Sequence, residues 1–279
     1  MTPRSYLYVP ADQQDKLAKA AGCGADALIL DLEDAVAPGA KAAARANAAA
    51  ALSALTGEVW VRVNAGTPEA DVTAVAVPGL TGIVVPKAEP ALLEIADALL
   101  TGAEAAHGLA PGTFALLALI ESAAGVVQAE RIAASPRVIR LGVGEADLAG
   151  ELGLRPGPGR EELWPIRSRI VVASAAAAIL PPVGPVETAV RDTETLAAGT
   201  RVLLRQGFRA RTALSPRQLP LINEVFTPSP GEVEEARDLV RRLAGAGGVA
   251  LDARGRFIDA AVARSAHEVI GRAGRVAHP

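Results

Sequence analysis

Eight short runs of β-branched and aliphatic residues, each followed by a helix-like stretch, constrain the fold of this chain more than any other feature. Apolar runs of about four to eight residues between helical stretches are typical of buried parallel strands. The predicted strands are Tyr6–Val9, Ala27–Leu32, Val59–Val63, Ile83–Pro86, Leu116–Ile120, Val138–Val143, Ile179–Val186 and Ala210–Leu214. We therefore predict an α/β fold, a TIM-like (β/α)8 barrel, in preference to an open doubly wound sheet.

The pattern changes after residue 228, which divides the chain into a predicted barrel over residues 1–228 and a C-terminal helical arm over residues 229–279. Apolar residues keep helical spacing over Val233–Leu243, and a last helix is predicted from about Ala260 to Ile270. A barrel does not need such an arm. We therefore expect it to pack on a neighbouring subunit of a homo-oligomer.

Charge and cysteine content exclude several classes of protein. The net charge is −3 and lysine and arginine form no cluster, which argues against a nucleic-acid partner. The single cysteine, Cys23, excludes an internal disulfide and a cysteine metal cage. The N-terminus runs directly into a strand without a signal peptide, and the longest apolar stretch, Ile170–Val183, is too short to span a bilayer. We expect a soluble, cytoplasmic protein with no membrane partner.

Polar side chains stand directly after most of the predicted strands. In barrel enzymes the active site lies at this C-terminal face of the strands. The set comprises Asp31, Glu33, Asp34, Arg62, Asn64, Lys87, Glu121, Ser122, Glu145, Asp147 and Ser215. Side-chain alternation places Trp60, Arg62 and Asn64 on one face of their strand and Asp31 and Glu33 on the matching face of theirs. Charged groups therefore converge on the barrel mouth. The loop Gly150–Gly159, rich in glycine and proline, is a natural lid for it.

Glu121 and Asp147, after the fifth and sixth predicted strands, are the metal ligands that we favour. The three histidines lie away from strand ends, so neither a histidine triad nor a zinc site is expected. Carboxylate ligands select Mg²⁺, or Mn²⁺, with water and substrate oxygens completing the octahedron. The alternative for each acid is an interaction with the N-terminus of the following helix, and Glu145 fits that alternative better than the other two.

Lys87 suggests a competing chemistry. A desolvated lysine at a strand end can form a Schiff base with a keto substrate. The surrounding acids would raise its pKa and keep it charged. A structural salt bridge is therefore the preferred interpretation of Lys87.

Seven motifs give the chain a resemblance to the citrate lyase beta-chain family, which contains citryl-CoA, malyl-CoA and citramalyl-CoA lyases of the HpcH/HpaI aldolase superfamily. The motifs are RSYLYVPA (4–11), LILDLEDAV (28–36), VRVN (61–64), VPKAE (85–89), ALIESAAGV (118–126), GVGEADL (142–148) and SPRQLPLINEVFTPS (215–229). Each motif is weak alone, but in this order and register they are highly specific and cover nearly the whole chain.

The resemblance implies a barrel that assembles as a homotrimer or hexamer, with Mg²⁺ held by Glu121 and Asp147 and a substrate carboxylate bound by Arg62. It also implies that an acid from a neighbouring subunit's arm takes part in catalysis, and GRFID places that acid at Asp259. Two departures are present. The usual Gly-Ala-Glu-Asp turn is Gly144-Glu145-Ala146-Asp147, and the usual Ile-His-Pro is Leu214-Ser215-Pro216.

The activity implied is the Mg²⁺-dependent cleavage of a citryl-CoA-type thioester to acetyl-CoA and a 2-keto acid such as oxaloacetate, or the formation of the thioester from them. The partners expected are an acyl-CoA or acyl-carrier thioester and a small keto acid. Catalysis would use Arg62 and Asp259, with Glu121, Glu33 and Asp31 also at the substrate. Two alternatives stay open: an aldolase acting on free pyruvate or oxaloacetate, and a non-catalytic subunit that binds CoA esters.

Overall fold

The computed structural model describes residues 2–246, 249–252 and 254–274. The chain folds as two compact units, one spanning Pro3–Ile222 and the other formed by Thr2 and the described residues from Asn223 onward. No helix in these ranges is both long enough and apolar enough to cross a membrane.

The first unit contains eight parallel strands that close into a barrel in sequence order, which confirms the predicted (β/α)8 fold. The strands are β1 (Ser5–Pro10), β2 (Ala27–Asp31), β3 (Glu58–Arg62), β4 (Gly82–Val85), β5 (Ala115–Ile120), β6 (Val138–Val143), β7 (Leu180–Gly184) and β8 (Ala210–Ala213). The helices that follow them are α1 (Gln14–Ala20), α2 (Lys41–Leu52), α3 (Pro68–Val75), α4 (Pro90–His107), α5 (Ala123–Val127), α6 (Ala129–Ala133), α7 (Glu145–Leu152), α8 (Trp164–Ala176), α9 (Thr193–Arg205) and α10 (Leu219–Phe226).

The barrel interior is filled by large apolar side chains from alternate positions of the strands. Tyr6, Ile29, Trp60 and Leu117 are at most 2% exposed and belong to one cluster. The rings of Tyr6 and Trp60 lie 6.5 Å apart at a tilted angle of 59°. Glycine is required next to Trp60, because a Cβ at Gly82 would lie 2.1 Å from the Ala115 carbonyl oxygen. The side-chain alternation predicted for β3 is therefore confirmed for its central tryptophan.

The seventh strand, the least regular in sequence, is present but poorly paired. Pro181 and Pro182 lack the N–H groups that a ladder needs, and the pairing with β6 is irregular between its two registered positions. The Pro181 carbonyl instead accepts a hydrogen bond of 2.6 Å from Nε of the fully buried Arg140. A side chain from inside the barrel thus compensates for part of the missing backbone pairing.

The second unit contains α11 (Pro230–Gly245), a short antiparallel pair of strands, β9 (Ala250–Leu251) and β10 (Phe257–Ile258), and α12 (Ala260–Gly274). Ser229 begins α11 with a capping box, because its side chain accepts from the Glu232 N–H and Glu232 accepts from its backbone in return. The predicted helices of the arm are confirmed, and α12 extends four residues beyond the predicted Ile270. That this arm packs on a neighbouring subunit stays a prediction.

Candidate active site

A cavity of about 920 Å³ opens at the C-terminal ends of the barrel strands. Seven of the eleven polar residues predicted at the strand ends line it, among them Asp31, Arg62, Glu121 and Asp147. Glu33 lies beside them, with its carboxylate 3.0 Å from Arg62 Nη1. Asp259 belongs to the other unit, where its carboxylate accepts from the Ala261 and Val262 N–H groups at the start of α12.

Arg62 ends β3 and is held by a two-bond pairing with Asp31, which ends β2. Its Nε and Nη2 donate to the two Asp31 oxygens at 2.7 and 2.6 Å. Asp31 also accepts from the Glu33 and Ala35 N–H groups, so both of its oxygens are occupied. The guanidinium lies 4.9 Å from the centre of the Tyr8 ring. Asp31 therefore serves mainly to fix the plane of Arg62.

Glu121 is only 4% exposed and follows β5 directly. Burial, together with the nearby carboxylates of Glu33 and Asp147, raises the pKa of Glu121 to about 8, against a hydrogen bond from the Lys87 N–H that lowers it. The pKa of Glu33 is likewise raised to about 7, mainly by burial. The cap of α5 is Ser122, not Glu121. Glu121 thus has no capping role and is costly to ionise without a cation.

Lys87 contributes its backbone rather than its side chain. The residue adopts the left-handed region with φ of 47°, which is unfavourable for any residue except glycine, and its N–H donates to Glu121 Oε1 at 2.9 Å. The side chain is exposed and forms no ion pair within the described residues. The preferred salt bridge is therefore wrong, and an exposed amine does not suit Schiff-base chemistry.

The acids of the Gly144–Asp147 turn separate into two roles. Asp147 lies in the first turn of α7, is exposed to the cavity, and has no hydrogen-bond or ion-pair partner in the described ranges. Glu145 is buried and pairs with Arg167 at 2.5 Å and Arg160 at 3.1 Å. The turn follows β6 so closely that a Cβ at Gly144 would lie 2.4 Å from Glu121 Oε2. Glu121 and the start of α7 are therefore in direct contact.

The acids of the mouth suit a hard divalent cation. Across residues 2–246, 249–252 and 254–274, no group of three or more histidine, cysteine, aspartate and glutamate side chains is arranged to hold a metal ion. Mg²⁺ is commonly bound by only one or two carboxylates, with water and substrate oxygens as the other ligands. Glu121, buried beside two other acids, and the unpartnered Asp147 provide such a pair.

Sequence reasoning misplaced one residue and missed others. Asn64 does not point into the barrel; it lies beyond the end of β3 and bonds with Asp71 of α3 and Lys41 of α2. Tyr8, under the Arg62 guanidinium, was missed, although alternation along β1 places it on the same face as Tyr6. Arg160, in the loop between α7 and α8, was also missed, because nothing in the local sequence marks it as a site residue.

The loop predicted as a lid begins later than expected, because α7 continues to Leu152 and Gly153 ends it in the left-handed conformation. Ser215 lines the cavity and caps the 3-10 turn Pro216–Gln218. A serine at this position therefore has a structural role of its own.

The fold and the mouth residues are those of a barrel enzyme with a carboxylate and arginine site. The profile of the HpcH/HpaI aldolase/citrate lyase family matches residues 4–216. The chain belongs to this family and is a carbon–carbon lyase.

Curated relatives agree with this classification. The citrate lyase subunit beta of Leuconostoc mesenteroides subsp. cremoris is 31% identical over 278 residues, which cover 96% of this chain and 92% of that protein. A (3S)-malyl-CoA thioesterase of Cereibacter sphaeroides is 38% identical over 239 residues, which cover 84% of this chain and 80% of that protein.

Solved structures of CitE, the citrate lyase beta subunit of Mycobacterium tuberculosis, are also similar. The complex with magnesium, acetoacetate and coenzyme A superposes with a TM-score of 0.77 at 31% identity, covering 97% of this chain and 98% of that one. The complex with oxaloacetate and magnesium gives a TM-score of 0.65 at 31% identity, covering 80% and 96%.

Proposed function

We propose that this protein is a Mg²⁺-dependent carbon–carbon lyase that acts on a citryl-CoA-type thioester. It cleaves the thioester to acetyl-CoA and a 2-keto acid such as oxaloacetate, or forms the thioester from them. The observation that carries the proposal is that Glu121, only 4% exposed at the end of β5, and the exposed Asp147 at the start of α7 line the same cavity. Burial and the nearby carboxylates raise the pKa of Glu121, and a divalent cation would favour its ionised form. The solved CitE complexes contain magnesium with oxaloacetate, and magnesium with coenzyme A.

Glu121 and Asp147 would hold the Mg²⁺ ion, which when bound polarises the oxygen atoms of the keto acid or its alcohol precursor. Arg62, fixed by Asp31, has a further Nη2–H beyond the one that Asp31 accepts, and it binds a substrate carboxylate. The Gly144 N–H already donates to Ile120 O at 2.9 Å. The free N–H groups at the start of α7, from Glu145 and Ala146, are left to orient the carboxylate of the keto acid.

Cleavage converts the substrate hydroxyl into the carbonyl of the keto acid, with its proton released to water. The electron pair of the broken bond stays on the acetyl thioester as an enolate, which must be protonated. We assign this proton to Asp259 of a neighbouring subunit, following the resemblance of GRFID to the arm motif of the family. Within its own chain Asp259 is an N-terminal cap of α12. In the condensation direction the same carboxylate would remove a proton from the acetyl thioester.

The test is product analysis with the purified chain and a panel of citryl-CoA, citramalyl-CoA and malyl-CoA, with Mg²⁺ and with EDTA. We expect acetyl-CoA and a keto acid from at least one thioester, only with Mg²⁺. Asp259→Asn should lose turnover and keep Mg²⁺-dependent binding of oxaloacetate. Turnover that is unchanged by EDTA, or full activity of Asp259→Asn, would contradict the assignment of roles.

A second activity is favoured by one specific relative, the (3S)-malyl-CoA thioesterase, which is 38% identical. Thioester hydrolysis would release free CoA and the intact hydroxy acid, whereas the lyase releases acetyl-CoA and a keto acid. The same product analysis therefore separates the two. Condensation of pyruvate with an aldehyde in the absence of CoA would instead support an aldolase without a thioester, and no turnover of any substrate by the purified chain would support a non-catalytic subunit.

A further inference from the structure

The side chains of three arginines and two glutamates form a cluster at the edge of the mouth cavity, and these side chains take no part in the proposed reaction. Glu145 begins α7 and Glu187 follows β7, and the two are 4% exposed. Arg167 of α8 pairs with Glu145 at 2.5 Å, and Arg211 of β8 approaches Glu187 at 3.4 Å. Each buried carboxylate thus has a buried arginine of its own.

Arg160 is the fifth member of the cluster, and it is additional to the two glutamate–arginine pairs. Its Nη1 donates to Glu145 at 3.1 Å and its Nη2 to Glu187 at 3.1 and 3.3 Å, so it joins the two pairs. Its Nε has no hydrogen-bond partner within the described parts of the chain. Within these five side chains the arginines outnumber the carboxylates by one.

Arg160 is also the exposed member of the cluster. Its side chain is 27% exposed, against 5% for Arg167 and 2% for Arg211, and it lines the cavity. Burial lowers the pKa of Arg211 to about 10, and the neighbouring charge of Arg160 lowers it as well, while Glu187 raises it. Arg160 is therefore the member through which the cluster reaches the cavity.

The backbone conformation of Arg160 is also unusual. Its φ is 53°, a conformation that glycine adopts readily and that costs other residues about 1 kcal/mol. It directly follows Gly159, in the loop between α7 and α8. An arginine held in an unfavourable conformation, and not needed to neutralise either buried glutamate, is a candidate for a binding role.

The position of Arg160 in the barrel is opposite that of Arg62. Arg62 ends β3, whereas Arg160 bridges acids that follow β6 and β7, and β3 and β7 are four strands apart in the closed order of eight. The side of the mouth around Arg62 has an excess of acids, namely Asp31, Glu33 and Asp34. An anion bound at Arg160 would therefore lie away from these three acids.

We propose that Arg160 binds a second anionic group of the substrate, across the cavity from the group bound by Arg62. This inference rests on the proposed function. The anionic group is a carboxylate of a dicarboxylic keto acid or a phosphate of the thioester carrier, and both accept paired hydrogen bonds from a guanidinium.

The test compares binding in the presence of Mg²⁺ for the wild type and Arg160→Gly, which suits the left-handed backbone and leaves each glutamate its own arginine. Calorimetry measures two ligand pairs: oxaloacetate against pyruvate, and acetyl-CoA against acetyl-pantetheine, which lacks the nucleotide phosphates. A carboxylate contact predicts about tenfold or greater weakening for oxaloacetate and little change for pyruvate. A phosphate contact predicts a similar weakening for acetyl-CoA and little change for acetyl-pantetheine.

Arg137→Gly is the matched control. Arg137 also has a positive φ, of 62°, and also pairs with two acids, Asp97 and Glu104, but it does not line the cavity. This control should lose stability and keep all four affinities. Equal weakening of all four ligands in Arg160→Gly, or no weakening, would overturn the inference. If the wild type itself bound none of the four, the proposed function would fail first.

Discussion

Two buried glutamates show how differently this fold treats the same side chain. Hydrogen bonds from Arg137, and from the Phe114 and Gly112 N–H groups, lower the pKa of Glu104 to about 2, although burial opposes them. Burial and neighbouring acids raise the pKa of Glu121 to about 8. Glu104 therefore stabilises the fold in its ionised form, whereas the ionised form of Glu121 destabilises the fold unless a cation is bound.

A pH dependence of stability follows from Glu104. Because its pKa is lower in the folded state than the ordinary value of 4.5, the stabilisation is complete well above pH 4.5 and is lost as the pH falls from about 5 towards 2. The free energy of unfolding of the wild type, measured by urea denaturation, should fall over this range. In Glu104→Gln the stability at pH 7 should be lower, and the fall between pH 5 and 2 smaller; an identical acid profile in both proteins would contradict the assignment.

The sequence predicted the position of a side chain correctly where the alternation along a strand determines it. The prediction failed where contacts with distant parts of the chain determine the position. Alternation places Arg62 at the barrel mouth, and the structure agrees. It fails for Asn64, because β3 ends at Arg62 and the next residues follow the loop towards α2 and α3. The joining of Glu145 to Glu187 by Arg160 spans three loops, and no local pattern in the sequence encodes it.

At the scale of elements, the turn from β6 into α7 controls the site because it touches Glu121. Gly144 has no Cβ, and this absence makes room for the Glu121 side chain, whose Oε2 and Cβ would lie 2.4 and 2.5 Å from an added Cβ. On the other side, the unusual backbone of Lys87 directs its N–H at the same carboxylate. Two loops with special backbone requirements therefore fix the position of the Glu121 side chain.

Gly144→Ala tests this contact. The added methyl group should displace Glu121 and abolish Mg²⁺-dependent binding of oxaloacetate, with a loss of about 1–3 kcal/mol in the free energy of unfolding. Gly150→Ala is the control, because Gly150 lies in α7, the helix that Gly144 precedes, with nothing within 4 Å of the added Cβ. The control should bind normally and gain about 0.5–1 kcal/mol of stability. Normal binding by Gly144→Ala would show that the contact is unimportant.

At the scale of the whole molecule, the barrel was predictable because eight apolar runs of strand length alternate with helical stretches. A sheet that closes into a barrel surrounded by helices buries all eight of these strands. The ends of the strands were predicted less accurately than their number and order. β7 is three residues shorter than predicted, since its prolines limit the pairing. The placement of Arg62 beside three acids, and of Arg160 between Glu145 and Glu187, emerges only when the barrel closes and brings distant loops together.

The central claim is that Glu121 and Asp147 together hold Mg²⁺ for a keto acid. Calorimetric titration of oxaloacetate, with Mg²⁺ and with EDTA, tests it most directly in the wild type, Glu121→Gln, Asp147→Asn and the control Glu151→Gln, an exposed acid of α7 that does not line the cavity. We predict Mg²⁺-dependent binding in the wild type and the control, and no binding in either ligand variant, with all four proteins folded. Mg²⁺-dependent binding of normal affinity in Glu121→Gln or Asp147→Asn would contradict the claim.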